Sequence, residues 1–122
     1  MSTKILIVDD EPEILEVTKW AFEMAGFDVY TAACGREALP QNQSVRPEIL
    51  LIDYKLPDMT GLDILKKVKA LDPHSVVIMI TGLTYQSEEL ELTARECGAA
   101  GFLHKPLQIK DVIRIVNEKL SP

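Results

Sequence analysis

The chain has 122 residues, 47% of them hydrophobic, and a formal net charge of -6. That length suits a single domain with one proper core. The acidic balance, with no Lys/Arg cluster interleaved with aromatics, argues against direct nucleic-acid binding. No apolar run approaches the roughly 18 residues of a membrane span, and Met1 leads straight into a strand with no signal peptide, so a cytoplasmic protein with no membrane role is expected. Cys34 and Cys97 form no CxxC pair and have no partners at zinc spacing, which reads as inert thiols in a reducing compartment.

In chain order, Lys4 to Val8 is a short apolar run that reads as a buried strand and stops at Asp9-Asp10. Pro12 suits a first helical position, and Ile14, Leu15, Thr18, Ala21, Phe22 and Ala25 share one face before Gly26 ends the helix. Val29 to Ala32 is the second strand, followed by a short helix from about Arg36. Ile49 to Ile52 is the third strand and stops at Asp53; a loop then leads to a helix carrying Leu62, Leu65, Val68 and Leu71. Val76 to Ile80 is the fourth strand, before a helix from about Ser87 to Cys97. Phe102-Leu103 is a brief fifth strand, and a last helix carries Ile109, Val112, Ile113, Val116 and Leu120. Five strand-helix units with right-handed crossovers predict one doubly wound parallel α/β sheet.

Open α/β sheets build their sites at strand carboxyl ends, and the acids sit there. Carboxylates gathered without a cation repel one another and favour protonation. A hard divalent ion such as Mg2+, held by one or two carboxylates together with water and a phosphate oxygen, accounts for their convergence.

Four elements therefore meet at one rim: Asp9-Asp10 after strand one, Asp53 after strand three, Thr81 after strand four and Lys105-Pro106 after strand five. With the stretches ILIVDDEP (Ile5 to Pro12), LLIDYKLPDMTG (Leu50 to Gly61), VIMITG (Val77 to Gly82) and GFLHKP (Gly101 to Pro106), the whole chain resembles the receiver domain of two-component response regulators. The resemblance implies a flavodoxin-like (βα)5 fold with strand order 2-1-3-4-5. It makes Asp53 the acceptor of a phosphoryl group from a histidine kinase or histidine phosphotransfer protein. Asp10, Asp53 and the Lys55 backbone carbonyl would bind Mg2+, or alternatively Mn2+, with Asp9 acting through water. Lys105, on a cis peptide bond to Pro106, would meet the phosphoryl group. Thr81 would donate its hydroxyl to that group and Phe102 would move into the space vacated, with small Gly82 alongside. Lys55 and Leu83, each two positions beyond Asp53 and Thr81, would flank the approach of water and set the phosphate's lifetime. Output would pass through helix four, strand five and helix five to a protein target or to an effector domain beyond Pro122, with the chain a monomer or a weak dimer through that face.

Simpler readings compete at single residues. Asp10 could cap the helix beginning at Pro12, Phe102 could be an ordinary core aromatic and Thr81 a turn residue. His74 and His104 have no partners at ligand spacing and read as packed or solvated. Trp20 and Met24 fall off the apolar face of the first helix. Trp20 then either leans across onto helix five or stands out as a docking anchor for a partner's helical bundle. Ile115, off the helix-five stripe, is a candidate for the dimer face. Two other classes fit less well. A phosphatase of the haloacid dehalogenase type would want two acids separated by one residue after strand one, and a flavin-binding flavodoxin would want a Ser/Thr/Gly-rich phosphate loop where Asp9-Asp10-Glu11 stands.

Overall fold

A computed structural model describes residues 2–82 and 87–121. Its elements follow in strict alternation: β1 (Lys4–Val8), α1 (Pro12–Met24), β2 (Asp28–Ala32), α2 (Gly35–Val45), β3 (Ile49–Asp53), α3 (Gly61–Leu71), β4 (Val76–Thr81), α4 (Ser87–Glu96), β5 (Gly101–His104) and α5 (Ile109–Leu120). The five strands form one sheet in the order β2-β1-β3-β4-β5, and every pairing is parallel. The order reverses between β1 and β3, which makes the carboxyl ends of these two strands the switch point at which such sheets bind ligands.

Both faces of the sheet are covered, so its strands alternate between two apolar layers. Leu6, Val8, Leu50, Ile52, Val77 and Met79 face one core, which Ile64, Leu65 and Val68 of α3 and Ala94 of α4 complete. Ile5, Ile7, Ile49, Leu51, Ile78 and Ile80 face the other, with Phe22 of α1 and Val112 and Val116 of α5. Phe22 is fully buried and meets the edge of Phe27 at a ring-centroid distance of 5.1 Å. No helix of the described residues is long and apolar enough to cross a membrane.

The outer face of α1 departs from one expectation. Trp20 is 63% exposed, with Val17 and Met24 beside it on the same side of the helix also exposed, so Trp20 does not lean onto α5. Ala25, expected on the buried face, is exposed because the helix has already ended there and Ala25 is its C-cap. Ile115 is half-buried against the α1/α5 core rather than standing free of it. The α2 helix runs through Pro40 as far as Val45 and closes with Arg46 in the left-handed region at φ 54. Cys34 and Cys97 are half-buried free thiols.

The inner and outer sides of α1 should respond very differently to truncation. Phe22→Ala is expected to cost about 3–5 kcal/mol, as removal of a buried aromatic does, whereas Trp20→Ala should stay within about 0.5 kcal/mol of wild type. Urea denaturation followed by circular dichroism measures both; a comparable loss in Trp20→Ala would mean that Trp20 is packed.

Candidate functional site

The β1–β3 register pairs Val8 with Ile52, so the next residues on each strand, Asp9 and Asp53, leave the sheet side by side. Both are 4% exposed. The Asp9 amide still donates to the Ala32 carbonyl (3.1 Å), and the Asp9 carboxylate then turns the chain by accepting from the Glu11 amide (2.9 Å). Glu11 is the N-cap of α1 and makes no side-chain capping bond. The capping reading of Asp10 therefore does not hold: Asp10 is exposed and offers its carboxylate to the rim.

Beyond Asp53, the backbone is fixed by close contacts. The Tyr54 amide donates to the Ile80 carbonyl of β4, and the Gly61 amide donates to the Tyr54 carbonyl, each at 2.7 Å. A Cβ on Gly61 would lie 2.6 Å from the Asp53 carbonyl oxygen, so only glycine lets α3 start this close to the acid. Thr60 and Asp63 form a reciprocal capping box that fixes where α3 begins.

Carboxylate oxygens of Asp9, Asp10, Glu11 and Asp53 all lie within 4.8 Å of one another. Even at that upper limit, two full charges such as those of the buried acids Asp9 and Asp53 would repel by roughly 3.5 kcal/mol at an effective dielectric of about 20. Burial pushes the Asp9 carboxyl above its usual range; the Glu11 amide and the Lys105 charge oppose the rise, and the Asp53 and Glu11 charges add to it. Lys105 supplies the counter-charge. Its Nζ lies 2.8 Å from Glu11 Oε1, 2.9 Å from Asp53 Oδ2 and 3.5 Å from Asp9 Oδ2. Burial alone would lower the pKa of this ammonium, but the hydrogen bonds to Glu11 and Asp53, with the Asp53 and Asp9 charges, outweigh it and hold the pKa well above its ordinary value.

One ammonium against four carboxylates leaves an excess of negative charge made wholly of hard oxygen donors, the chemistry a divalent cation needs. The acidic cluster could therefore hold a metal ion. Glu11 is the member that sequence reasoning did not assign; its signal was the unbroken Asp9-Asp10-Glu11 run.

The remaining expected residues close the rim from the other side. Thr81 ends β4, buried, and its carbonyl accepts from the Lys105 amide at 2.8 Å. The Lys105-Pro106 peptide bond is cis. Among the described residues, a Cβ on Gly82 would meet nothing nearer than Lys105 Cδ at 3.9 Å. Phe102 is 9% exposed, with its ring inward and 5.4 Å from that of His104 in an edge contact. Lys55 is exposed, with its backbone bridged to Thr60. Leu83 lies outside the described residues. His74 and His104 are exposed and neither joins the acidic cluster. From Lys105, an open groove of about 630 Å³ runs between α1 and the chain entering α5, lined by Ile14, Val17, Thr18, Pro106 and Leu107.

The site thus sets an acid-rich switch point against a lysine on a parallel five-stranded sheet. The family model for the response regulator receiver domain matches residues 5–117. Over 122 residues the chain is 36% identical to Sporulation initiation phosphotransferase F of Bacillus subtilis, covering 100% of this chain and 96% of that protein. A receiver domain protein (CheY-like) from Methanospirillum hungatei JF-1 superposes with a TM-score of 0.93 at 35% identity, over 98% of this chain and 94% of the other. Regulatory protein AtoC of Escherichia coli is 32% identical over 97% of this chain, which spans only 25% of AtoC; three transcriptional regulators are likewise spanned for less than half their length. The chain belongs to the response regulator receiver domain family, the signalling modules of two-component systems.

If the rim acids bind a cation and Lys105 serves another purpose, two variants should separate these roles. Mg2+ should raise the melting temperature of the wild type, as binding to the native state alone must. Asp10→Ala should lose most of that rise and Lys105→Ala should keep it, as thermal melts with and without Mg2+ would show. Equal loss in both would contradict the division.

Proposed function

We propose that Asp53 accepts a phosphoryl group from a phosphohistidine on a histidine kinase or histidine phosphotransfer protein, and that the aspartyl phosphate switches a protein-binding surface. The observation that carries this is the placement of the Asp53 carboxylate: buried at the switch point, 2.9 Å from the Lys105 ammonium and grouped with three further acids. An Asp53 carboxylate oxygen attacks phosphorus, the P–N bond to the donor imidazole breaks, and the imidazole leaves with its electron pair. Transfer of this kind depends mainly on positioning and charge neutralisation.

Asp10, Asp53 and the Lys55 carbonyl would hold Mg2+, or Mn2+ in its place, with Asp9 acting through water. The ion would neutralise charge shared between acceptor and phosphoryl oxygens. Lys105, already against Asp53, provides a compact positive charge for a phosphoryl oxygen. The Thr81 hydroxyl donates to the phosphoryl group from the end of β4, and Phe102 follows into the space that opens. Added phosphate charge is large enough to bias such a loop through one local hydrogen bond.

The exposed Val17, Trp20 and Met24 on α1 support docking of the donor beside the groove that leads to Lys105. A surface of α4, β5 and α5 carries the output, as a monomer or weak dimer in the cytoplasm. The target is either a separate protein or an attached effector domain; the relatives include a phosphotransferase that this chain spans almost completely and regulators of which it spans a part.

Two measurements test the assignment. With acetyl phosphate and Mg2+, intact mass should show one phosphoryl group on the wild type and no stable labelling of Asp53→Asn; undiminished uptake by the variant would overturn Asp53 as acceptor. The long Lys55 stem can cover the phosphate, and Leu83 offers no hydrogen bond to orient water. A Lys55→Asn, Leu83→Glu double variant should therefore lose its phosphate faster than wild type at saturating Mg2+. No acceleration would contradict the shielding argument.

A further inference from the structure

We propose that Asp58 is a positioning residue: its carboxylate ties the loop between β3 and α3 to the first turn of α2 and so holds the Lys55 carbonyl at the acidic rim. The inference rests on the reading of that rim as a cation and phosphoryl site.

The first amides of a helix have no partner within it and must find one elsewhere. In α2, the N-cap is Cys34, which makes no side-chain capping bond. The acceptor comes from a distant loop instead. Asp58 Oδ1 accepts from the Gly35 amide and Asp58 Oδ2 from the Arg36 amide, each at 2.8 Å and across more than twenty residues of sequence. A carboxylate at the positive end of a helix is favoured, and these bonds, the Gly35 amide first, hold the Asp58 carboxyl below its usual range.

Neighbouring contacts repeat the same junction. A Cβ on Gly35 would lie 2.4 Å from Met59 Sδ, so the glycine is what allows Met59 to lie on this turn of α2. At its two ends the loop is closed on itself: Lys55 bridges to Thr60, and the Gly61 amide donates to the Tyr54 carbonyl. Leu56, between them, is buried in the core. The backbone at Lys55 is thus one end of a short closed segment whose outward-facing tip is fastened to α2 by Asp58. Loss of that fastening frees the tip, and through the bridge it frees the Lys55 carbonyl.

Removing Asp58 also removes a negative charge, an effect separate from the loss of its two bonds to α2. Asn carries no charge and keeps a single acceptor oxygen, its NH2 group being a donor, so it retains at most one of the two bonds. Asp58→Ala and Asp58→Asn should therefore be compared with wild type in the full chain, by amide hydrogen exchange without metal and by titration with Mg2+ alone, followed through the amide signals of Lys55 to Thr60. In Asp58→Ala, the Gly35, Arg36 and Thr60 amides should exchange faster, and the Mg2+ concentration at half-saturation should rise about tenfold, as loss of an outer support for a ligand does. Labelling by acetyl phosphate at saturating Mg2+ should reach the wild-type level, and Asp58→Asn, with one bond left, should fall between Asp58→Ala and wild type in both exchange and Mg2+ affinity. Unchanged Mg2+ affinity and exchange in Asp58→Ala, or an equal weakening in both variants, would overturn the positioning role. A wild type that neither binds Mg2+ nor takes up phosphate would instead overturn the functional reading on which the role stands.

Discussion

The arrangement of the rim follows from one constraint: a single lysine ammonium stands against four carboxylates. Lys105 reaches Glu11, Asp53 and Asp9 from the far side of the site, on the segment that follows β5. Its position is fixed by the Lys105 amide, which continues the sheet by donating to the Thr81 carbonyl. The acids that it faces are fixed by the parallel register of β1 and β3. Three strand ends are thereby committed to one small volume before any cation or phosphate arrives. A charged group added there, of either sign, must change the lysine's pairing.

Under the proposed phosphorylation of Asp53, that coupling would give the fold a route from chemistry to signal. Lys105 and Thr81 join the site to the ends of β5 and β4, and Phe102 lies on β5 three residues before the lysine. The Phe102 ring is packed inward, in the core on the α2/α3/α4 side, whereas Lys105 belongs to the polar rim. A phosphoryl group that draws Lys105 away from Glu11 would act on the same short strand that holds the aromatic. By contrast, the segment after β3 is built to stay still: Gly61, the Thr60–Asp63 capping box, and Asp58 on α2 each fasten it.

Most of this was legible in the sequence because it depends on local pattern. Short apolar runs stopped by acids gave the strands and the acidic rim, whereas the order of the sheet and the place of Lys105 opposite the acids came with the family resemblance that the four motifs carry. What escaped was set by tertiary geometry. Helical periodicity could say that Trp20 lies off the buried face, but only the packing of α5 against α1 decides that it meets solvent. Glu11 looked like one more acid, and its bond to Lys105 spans 94 residues. Asp58 sits in a run that reads as an ordinary turn, since nothing local marks a carboxylate that caps a helix preceding it by more than twenty residues. The extension of α2 through Pro40 likewise reflects contacts with α3 and the sheet overriding a helix-breaking residue.

A crystal structure grown with Mg2+ and beryllofluoride tests the central claim most directly, because it reports the acceptor, the cation and the lysine together. The account requires beryllofluoride on the Asp53 carboxylate, Mg2+ ligated by Asp10, Asp53 and the Lys55 carbonyl, and the Lys105 ammonium moved from Glu11 onto a fluorine. Beryllofluoride on another residue, or Lys105 still paired with Glu11 while Asp53 carries the adduct, would contradict it.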